Sequence, residues 1–193
     1  MPEKARELVA QLGLNYDVEG DTFAYGDVMA PSRYKFAIGA YEGGFGLVHE
    51  RLFGVVGDPS NALLDKILQL YPAHNILAIE LTSGYTSYGY AIYKNTTLIR
   101  AMAGSCDEPI SKDIGELLSE EQIYFSRSAL DASELIASDS SEGEAQPFDP
   151  SEYGEDLVFS VAGRFLGDEV AAKPDDTEGP VMQVFKIAVP PRK

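Results

Sequence analysis

Tryptophan is absent from this sequence, and cysteine, histidine and basic residues are scarce. A single cysteine cannot form a disulfide within the chain, so the fold does not depend on a disulfide framework. One cysteine and two histidines are also too few for the usual structural zinc sites. A hard-metal site built from carboxylates stays open with 31 acids, but no calcium-loop spacing singles one out. We expect no metal and no cofactor. No stretch approaches the ~20 uninterrupted apolar residues that span a bilayer, which argues against a membrane protein.

The charge is strongly one-sided. The 193 residues include 15 basic and 31 acidic side chains, which gives a net charge of −16. Residues 1–103 contain 11 acidic and 8 basic side chains (net −3), whereas residues 104–193 contain 20 and 7 (net −13). Nucleic acids and anionic membrane surfaces are polyanions that such a chain repels, so neither is an expected partner. The acidic half either attracts a basic partner or serves as solubilising surface.

The strand pattern predicts an α+β fold with a largely antiparallel sheet. Alternating apolar residues and turn chemistry predict two hairpins, over residues 34–49 and 85–103, and a further strand over 75–81. A C-terminal strand is predicted over 181–189, and residues 52–56 are expected to continue or add a strand. Because hairpins pair antiparallel strands, this order does not fit a doubly wound parallel sheet.

Two or three helices are expected to cover the apolar face of the sheet. Residues 3–13 form a short amphipathic stretch that Gly13 can end in the left-handed conformation. Asp58 followed by Pro59 predicts a helix over 59–71. Asp149 followed by Pro150, with a glutamate three positions after the cap, predicts a helix over 150–166.

The chain length favours a single domain over residues 1–193. Within it we distinguish an N-terminal helix and loop (1–33), a strand-rich core (34–103) and a region of acidic loops with one helix and one strand (104–193). The start of the chain shows no apolar leader segment. Together with the unpaired thiol, this predicts a cytoplasmic protein.

A cysteine nucleophile is not favoured. Cys106 follows a predicted strand, but a thiolate needs a nearby base, and His49 and His74 lie on separate predicted elements. Asp107 and Glu108 beside the thiol would raise its pKa, which opposes reactivity. We therefore expect a structural or incidental thiol.

Two other groups of residues are candidate sites. Glu116 and Glu121 lie near Tyr124 in a stretch that combines acids with aromatic residues, which is compatible with general acid–base catalysis by carboxylates. Tyr85, Tyr88 and Tyr90 in the second hairpin could form a ligand-stacking shelf, although cross-strand aromatic packing is the commoner use of such rings.

Three segments resemble a known family when they are taken together. Residues 90–100 resemble an "aVWedG-LvRs" hairpin. Residues 114–125 resemble an "IGEpLpfE–YW" segment, and residues 147–155 resemble "PFhPlElGEeAL". In this order and spacing they are similar to a bacterial family of small α/β proteins known only as a domain of unknown function. The likeness covers about residues 34–170. It implies a bacterial cytoplasmic setting but no activity.

The sequence departs from that family where a His-Ser-x-x-Asp-Trp run is usual. Residues 82–87 read Thr-Ser-Gly-Tyr-Thr-Ser, so that only Ser83 is retained. Any site formed by that run is in doubt here.

Three functions remain open at this point. The leading hypothesis is a non-enzymatic binding protein that recognises another macromolecule or associates with itself. One form of it is an inhibitor or immunity-type protein whose surface acids, within residues 107–144, dock on a basic enzyme. The alternatives are an enzyme with a carboxylate-centred site and a small-molecule sensor that uses the tyrosine-rich hairpin.

Overall fold

The structure is a computed structural model of the whole chain. It describes residues 2–16, 18–24, 35–41, 44–52, 54–56, 60–82, 87–105, 107–108, 110–122, 150–166 and 181–186.

The described residues form three α-helices and eight β-strands. The helices are α1 (Pro2–Leu12), α2 (Ala62–Leu70) and α3 (Pro150–Leu166). The strands are β1 (Val18–Ala24), β2 (Lys35–Tyr41), β3 (Gly44–Val48), β4 (Asn75–Thr82), β5 (Ser87–Lys94), β6 (Thr97–Gly104), β7 (Lys112–Gly115) and β8 (Val181–Lys186). A short 3-10 helix spans Glu50–Leu52.

The strands form two antiparallel sheets, which confirms the α+β class. The first sheet has the order β1-β8-β2-β3, so the C-terminal strand lies between strands from the N-terminal part of the chain. The second sheet has the sequential order β4-β5-β6-β7. Alternation along a strand reports which face a residue occupies but not which strand is its neighbour. For that reason the sequence pattern does not separate the two sheets. The expectation of a single domain stays a prediction.

The predicted hairpins are confirmed. In the first, β2 pairs with β3 from Ala37 opposite Val48 to Tyr41 opposite Gly44. In the second, β5 and β6 are joined by Asn95 and Thr96, whose φ angles of 49° and 67° are left-handed. A two-residue turn with both residues left-handed matches the right-handed twist of its strands.

Local capping determines where the helices begin and end. Gly13 (φ 64°) ends α1: its N–H donates to the Ala10 carbonyl, and the Leu14 N–H donates to the Val9 carbonyl. Helix α2 begins at Ala62 rather than at Pro59, because the Asn61 side chain accepts hydrogen bonds from the N–H groups of the first turn. Helix α3 spans the predicted residues 150–166; Asp149, its expected cap, lies outside the described residues.

The described residues of the 52–56 stretch do not form the strand that its apolar character predicts; Phe53 lies outside the described residues. Leu52 ends the 3-10 helix, and residues 54–56 form a turn in which Gly54 has a φ angle of 75°. A left-handed residue interrupts an extended strand. The turn packs instead on the second sheet, where Lys112 Nζ donates to the Val56 carbonyl at 2.8 Å.

The second sheet is covered on both faces. Helix α3 packs on one face through an apolar cluster formed by Tyr88, Tyr90, Ile92, Met102, Leu157, Val158 and Val161. On the opposite face, α2 and the 54–56 turn pack through Val55, Val56, Leu64, Ala91, Tyr93 and Ala101. A third cluster joins α1 and α2 to β2 of the first sheet. Helix α2 therefore belongs to two clusters and links the sheets.

Helix α3 approaches the second sheet closely at Gly154. A Cβ atom added there would lie 2.4 Å from Cδ1 of the Tyr88 ring. Only glycine allows this approach, so Tyr88 is covered by the helix backbone. None of the described helices has the length and apolarity that a membrane-spanning helix needs.

Candidate functional site

A β-bulge in β6 decides which face of the second sheet carries Arg100. Ile92 pairs with Arg100 and Tyr93 pairs with Leu98, so Ile99 has no partner on β5. Strict alternation would place Leu98 and Arg100 on the same face. The extra residue instead leaves Leu98 on the α2 face and turns Arg100 to the α3 face, as bulges commonly do when they redirect a side chain.

Arg100 is buried at 1% exposure and is paired with Glu121, which is fully buried. Arg100 Nε donates to Glu121 Oε1 at 3.1 Å and to Oε2 at 2.9 Å, and its NH2 group also donates to Oε1. Two ions taken out of water must satisfy each other's hydrogen bonds. Burial lowers the pKa of Arg100, but the hydrogen bonds to Glu121 and Asp113 outweigh it and raise the pKa above its ordinary value.

Glu121 also caps the helical turn of residues 119–122. The Leu118 N–H donates to Glu121 Oε2 at 2.6 Å, and the Gln122 N–H donates to the Leu118 carbonyl at 3.1 Å. Leu118 is thus the N-cap, and Glu121, three residues later, reaches back to it as in a capping box. The same carboxylate therefore begins the turn and holds it on the sheet.

The remaining donors of Arg100 bind β7. Its NH1 group donates to Asp113, to the Ile114 carbonyl at 3.0 Å and to the Gly115 carbonyl at 3.3 Å. Gly115 (φ 89°) lies so close to β6 that an added Cβ atom would be 2.1 Å from the Ile99 carbonyl oxygen. Arg100 therefore joins β6, β7 and the 119–122 turn. We call Arg100, Glu121, Asp113 and Tyr90 the Arg100 cluster.

Tyr90 is the fully buried neighbour of this ion pair. Its hydroxyl lies within the electrostatic influence of Glu121 and Arg100, but it forms no hydrogen bond with either. Burial, reinforced by Glu121, raises the pKa of Tyr90 far above its ordinary value. The phenol therefore stays protonated at neutral pH and is not a base.

A second ion pair fastens α3 to the same helical turn. Arg164 in the last turn of α3 binds Glu120, and its NH2 group donates to Ser119 Oγ at 2.9 Å. The hydrogen bond from Arg164 lowers the pKa of Glu120 to about 2. The second sheet, the 119–122 turn and α3 are thus connected by consecutive glutamates.

The two predicted carboxylates have different surroundings. Glu121 is buried in the Arg100 cluster, whereas Glu116 is exposed. Tyr124 lies outside the described residues. The structure therefore places Glu121 in the interior and Glu116 at the surface. The catalytic role of the two carboxylates stays a prediction.

The predicted tyrosine shelf is covered where it is described. Tyr88 and Tyr90 are 4% and 0% exposed beneath α3, and Tyr93 points to the opposite face. Tyr85 lies outside the described residues. Tyr88 and Tyr90 therefore pack in the interior, and the ligand-binding role stays a prediction.

The histidines occupy separate places. His49 is buried, its ring is stacked on Phe36 at 5.4 Å between centroids, and its Nδ1 accepts a hydrogen bond from the Arg51 N–H. His74 is exposed beside Tyr71. Cys106 and Ser83 lie outside the described residues. Within the described part of the chain, no three His, Cys, Asp or Glu side chains are grouped closely enough to hold a metal ion.

Arg100 is not among the predicted site residues, although the sequence carries a signal for it. The residue is the one charge in the run Leu98-Ile99-Arg100-Ala101-Met102. A charged residue inside an apolar strand requires a buried partner of opposite charge or an outward-facing position. Locating the bulge decides between these two possibilities, and the sequence does not locate it.

Most of the exposed large hydrophobic residues in the described part of the chain lie in or next to the segment around β7. Four of the five exposed large hydrophobic residues lie on β7 or beside it, namely Ile99, Ile110, Ile114 and Leu117. Exposed acids lie between or beside them in the sequence: Asp107, Glu108 and Glu116. We call these seven side chains the β7 surface.

Residues 1–186 match the model of a family of unknown function, DUF6928. The chain belongs to this family. No curated protein and no solved structure matches the chain. The expected membership of a domain family of unknown function is thereby confirmed, and it extends beyond residues 34–170 to include α1 and β8. The bacterial origin stays a prediction.

Breaking the buried pair should cost far more than losing a surface charge. We expect Glu121→Gln to lower the free energy of unfolding by about 3–5 kcal/mol, because it leaves Arg100 charged and buried without its main partner. Urea unfolding at neutral pH measures this loss. Glu116→Gln, an exposed control, should stay within about 0.5 kcal/mol of the parent.

The double variant Arg100→Met/Glu121→Leu separates charge from packing. Because both ions are removed together, it should lose less stability than Glu121→Gln alone. A loss below about 1 kcal/mol for Glu121→Gln would contradict the structural role of the pair.

The contribution of the Glu120–Arg164 pair to stability should depend on pH. The pKa of about 2 in the folded protein lies below the ordinary glutamate value of 4.5, so the stabilisation is present above pH 4.5 and disappears as the pH falls towards 2. Since Arg164 is 43% exposed, we expect Glu120→Gln to cost only about 1 kcal/mol at neutral pH. The difference in free energy of unfolding between Glu120→Gln and the parent should become smaller in unfolding curves recorded below pH 4.5. A difference that stays constant down to about pH 3 would refute this assignment.

Proposed function

We propose that this protein is a non-enzymatic binding protein that recognises a basic protein partner through the acidic surface of its C-terminal half. In its specific form, the proposal is an inhibitor or immunity-type protein that docks on a basic enzyme. Complementary charge of this kind accelerates association and weakens with salt.

The use of the buried charges supports a binding role over a catalytic one. The donors of Arg100 are directed to Glu121, Asp113 and backbone carbonyls. Glu121 accepts hydrogen bonds from Arg100 and from the Leu118 N–H. A general acid or base must exchange a proton with substrate, and a carboxylate held in this way has a structural task instead.

The exposed acids of the β7 surface carry the proposal. Asp107, Glu108 and Glu116 are exposed, and the ion pairs identified among the described residues do not use them. They lie in the half of the chain with a net charge of −13. Their charge is therefore directed at solvent and at any approaching partner. The single cysteine supports a cytoplasmic setting as part of the same proposal.

Matched charge variants test the proposal. The β7 variant carries Asp107→Asn, Glu108→Gln and Glu116→Gln, and the control carries Glu7→Gln, Asp65→Asn and Asp156→Asn, which are exposed acids on α1, α2 and α3. Both sets remove three negative charges. Affinity capture from a lysate of the source cells, at low and at high salt, followed by mass spectrometry, identifies the bound proteins.

We expect a basic protein to be recovered by the parent and by the control, and to be released at high salt. The β7 variant should recover several-fold less of it, because local rather than total charge steers docking. Equal recovery by the two variants, or recovery that salt does not change, would contradict the proposal.

A further inference from the structure

We infer that the β7 surface is a docking site with an apolar centre, formed by Ile110, Ile114 and Leu117, and that it takes a basic protein surface which carries apolar side chains among its lysines and arginines. This inference rests on the proposed function and adds to it a place and a partner chemistry. Acids alone would give a contact that depends only on charge.

The concentration of exposed apolar side chains supports an interface. Ile110, Ile114 and Leu117 are 44%, 42% and 47% exposed within one eight-residue stretch, and Ile99 of the neighbouring strand is 44% exposed. Among the described residues only Leu70, on α2, is a comparable exposed hydrophobic residue outside this region. Scattered exposed hydrophobics are ordinary, whereas their accumulation marks an interaction surface.

Strand β7, in the middle of this surface, is held from behind by side-chain hydrogen bonds. Arg100 binds the Ile114 carbonyl, and Lys112 Nζ binds the Val56 carbonyl. Strand β7 is the last strand of its sheet, with β6 as its neighbour in the described part of the chain. A fixed strand at a sheet margin presents its side chains with little ordering cost on binding.

The acidic side chains of the β7 surface favour a basic partner. A second copy that docked symmetrically would bring Asp107, Glu108 and Glu116 against the same acids of its partner, so like charges oppose that contact. A basic partner pairs with Asp107, Glu108 and Glu116 while its apolar side chains cover the isoleucine and leucine residues.

The apolar and acidic parts should contribute differently. Surface acids mainly set the association rate and its salt dependence, whereas buried apolar contacts mainly slow dissociation. Removing exposed leucine and isoleucine side chains should therefore weaken binding without changing its response to salt.

Two synthetic peptides of equal length and charge test this inference, one alternating lysine with leucine and the other lysine with serine. Binding is measured by fluorescence anisotropy at low salt for the full-length parent, for Ile110→Ser/Leu117→Ser, and for the control Leu70→Ser. These side chains are exposed to a similar degree, so unchanged thermal unfolding verifies that each variant is folded.

We expect the lysine–leucine peptide to bind the parent and Leu70→Ser about tenfold more tightly than the lysine–serine peptide. In Ile110→Ser/Leu117→Ser this preference should fall to about twofold or less. The same preference in all three proteins would overturn the inference. The proposed function would still stand if the β7 charge variant bound both peptides less tightly.

Sedimentation of the parent tests whether a second copy of the chain occupies the β7 surface instead. A monomer is expected. A dimer that Ile110→Ser/Leu117→Ser dissociates would assign the surface to a second copy and overturn the basic partner.

Discussion

The buried ion pair between Arg100 and Glu121 is the interaction on which the second half of the fold depends. A guanidinium placed inside an apolar layer must have its donors satisfied, and the chain meets this requirement by bringing residues 118–122 and β7 to it. The partner carboxylate begins the helical turn that also receives α3 through Glu120 and Arg164. Elements far apart in sequence are thereby fixed around one cation.

A division between inner and outer charge follows from this arrangement. The charged side chains of the Arg100 cluster are bound to each other or to backbone carbonyls, so they specify the fold. Outer charges on the β7 surface are directed at solvent, beside side chains that are apolar enough to contact another protein. The Arg100 cluster also fixes β7, so the group that organises the interior holds the candidate docking surface in place.

Sequence patterns predicted elements that depend on local chemistry. The second hairpin and helix 150–166 follow from alternation, turn residues and capping, which operate within a few residues. The predicted start of α2 differs from the observed one because Asp58 and Asn61 are both acceptable caps three residues apart, and the sequence does not show that Asn61 accepts the hydrogen bonds of the first turn. Glu121 was identified as chemically interesting, but its role depends on Arg100. That role could not be read from the sequence, because a single unpaired residue in β6 determines the face on which Arg100 lies.

Hydrogen exchange of the parent and of Glu121→Gln, followed by mass spectrometry, tests the central claim most directly. If the Arg100–Glu121 pair holds β7, the 119–122 turn and α3 on the second sheet, exchange should accelerate in those three segments, while α1 and the β2–β3 hairpin keep the parent's protection. Unchanged exchange in β7 and α3, or acceleration that is uniform over the whole chain, would contradict it.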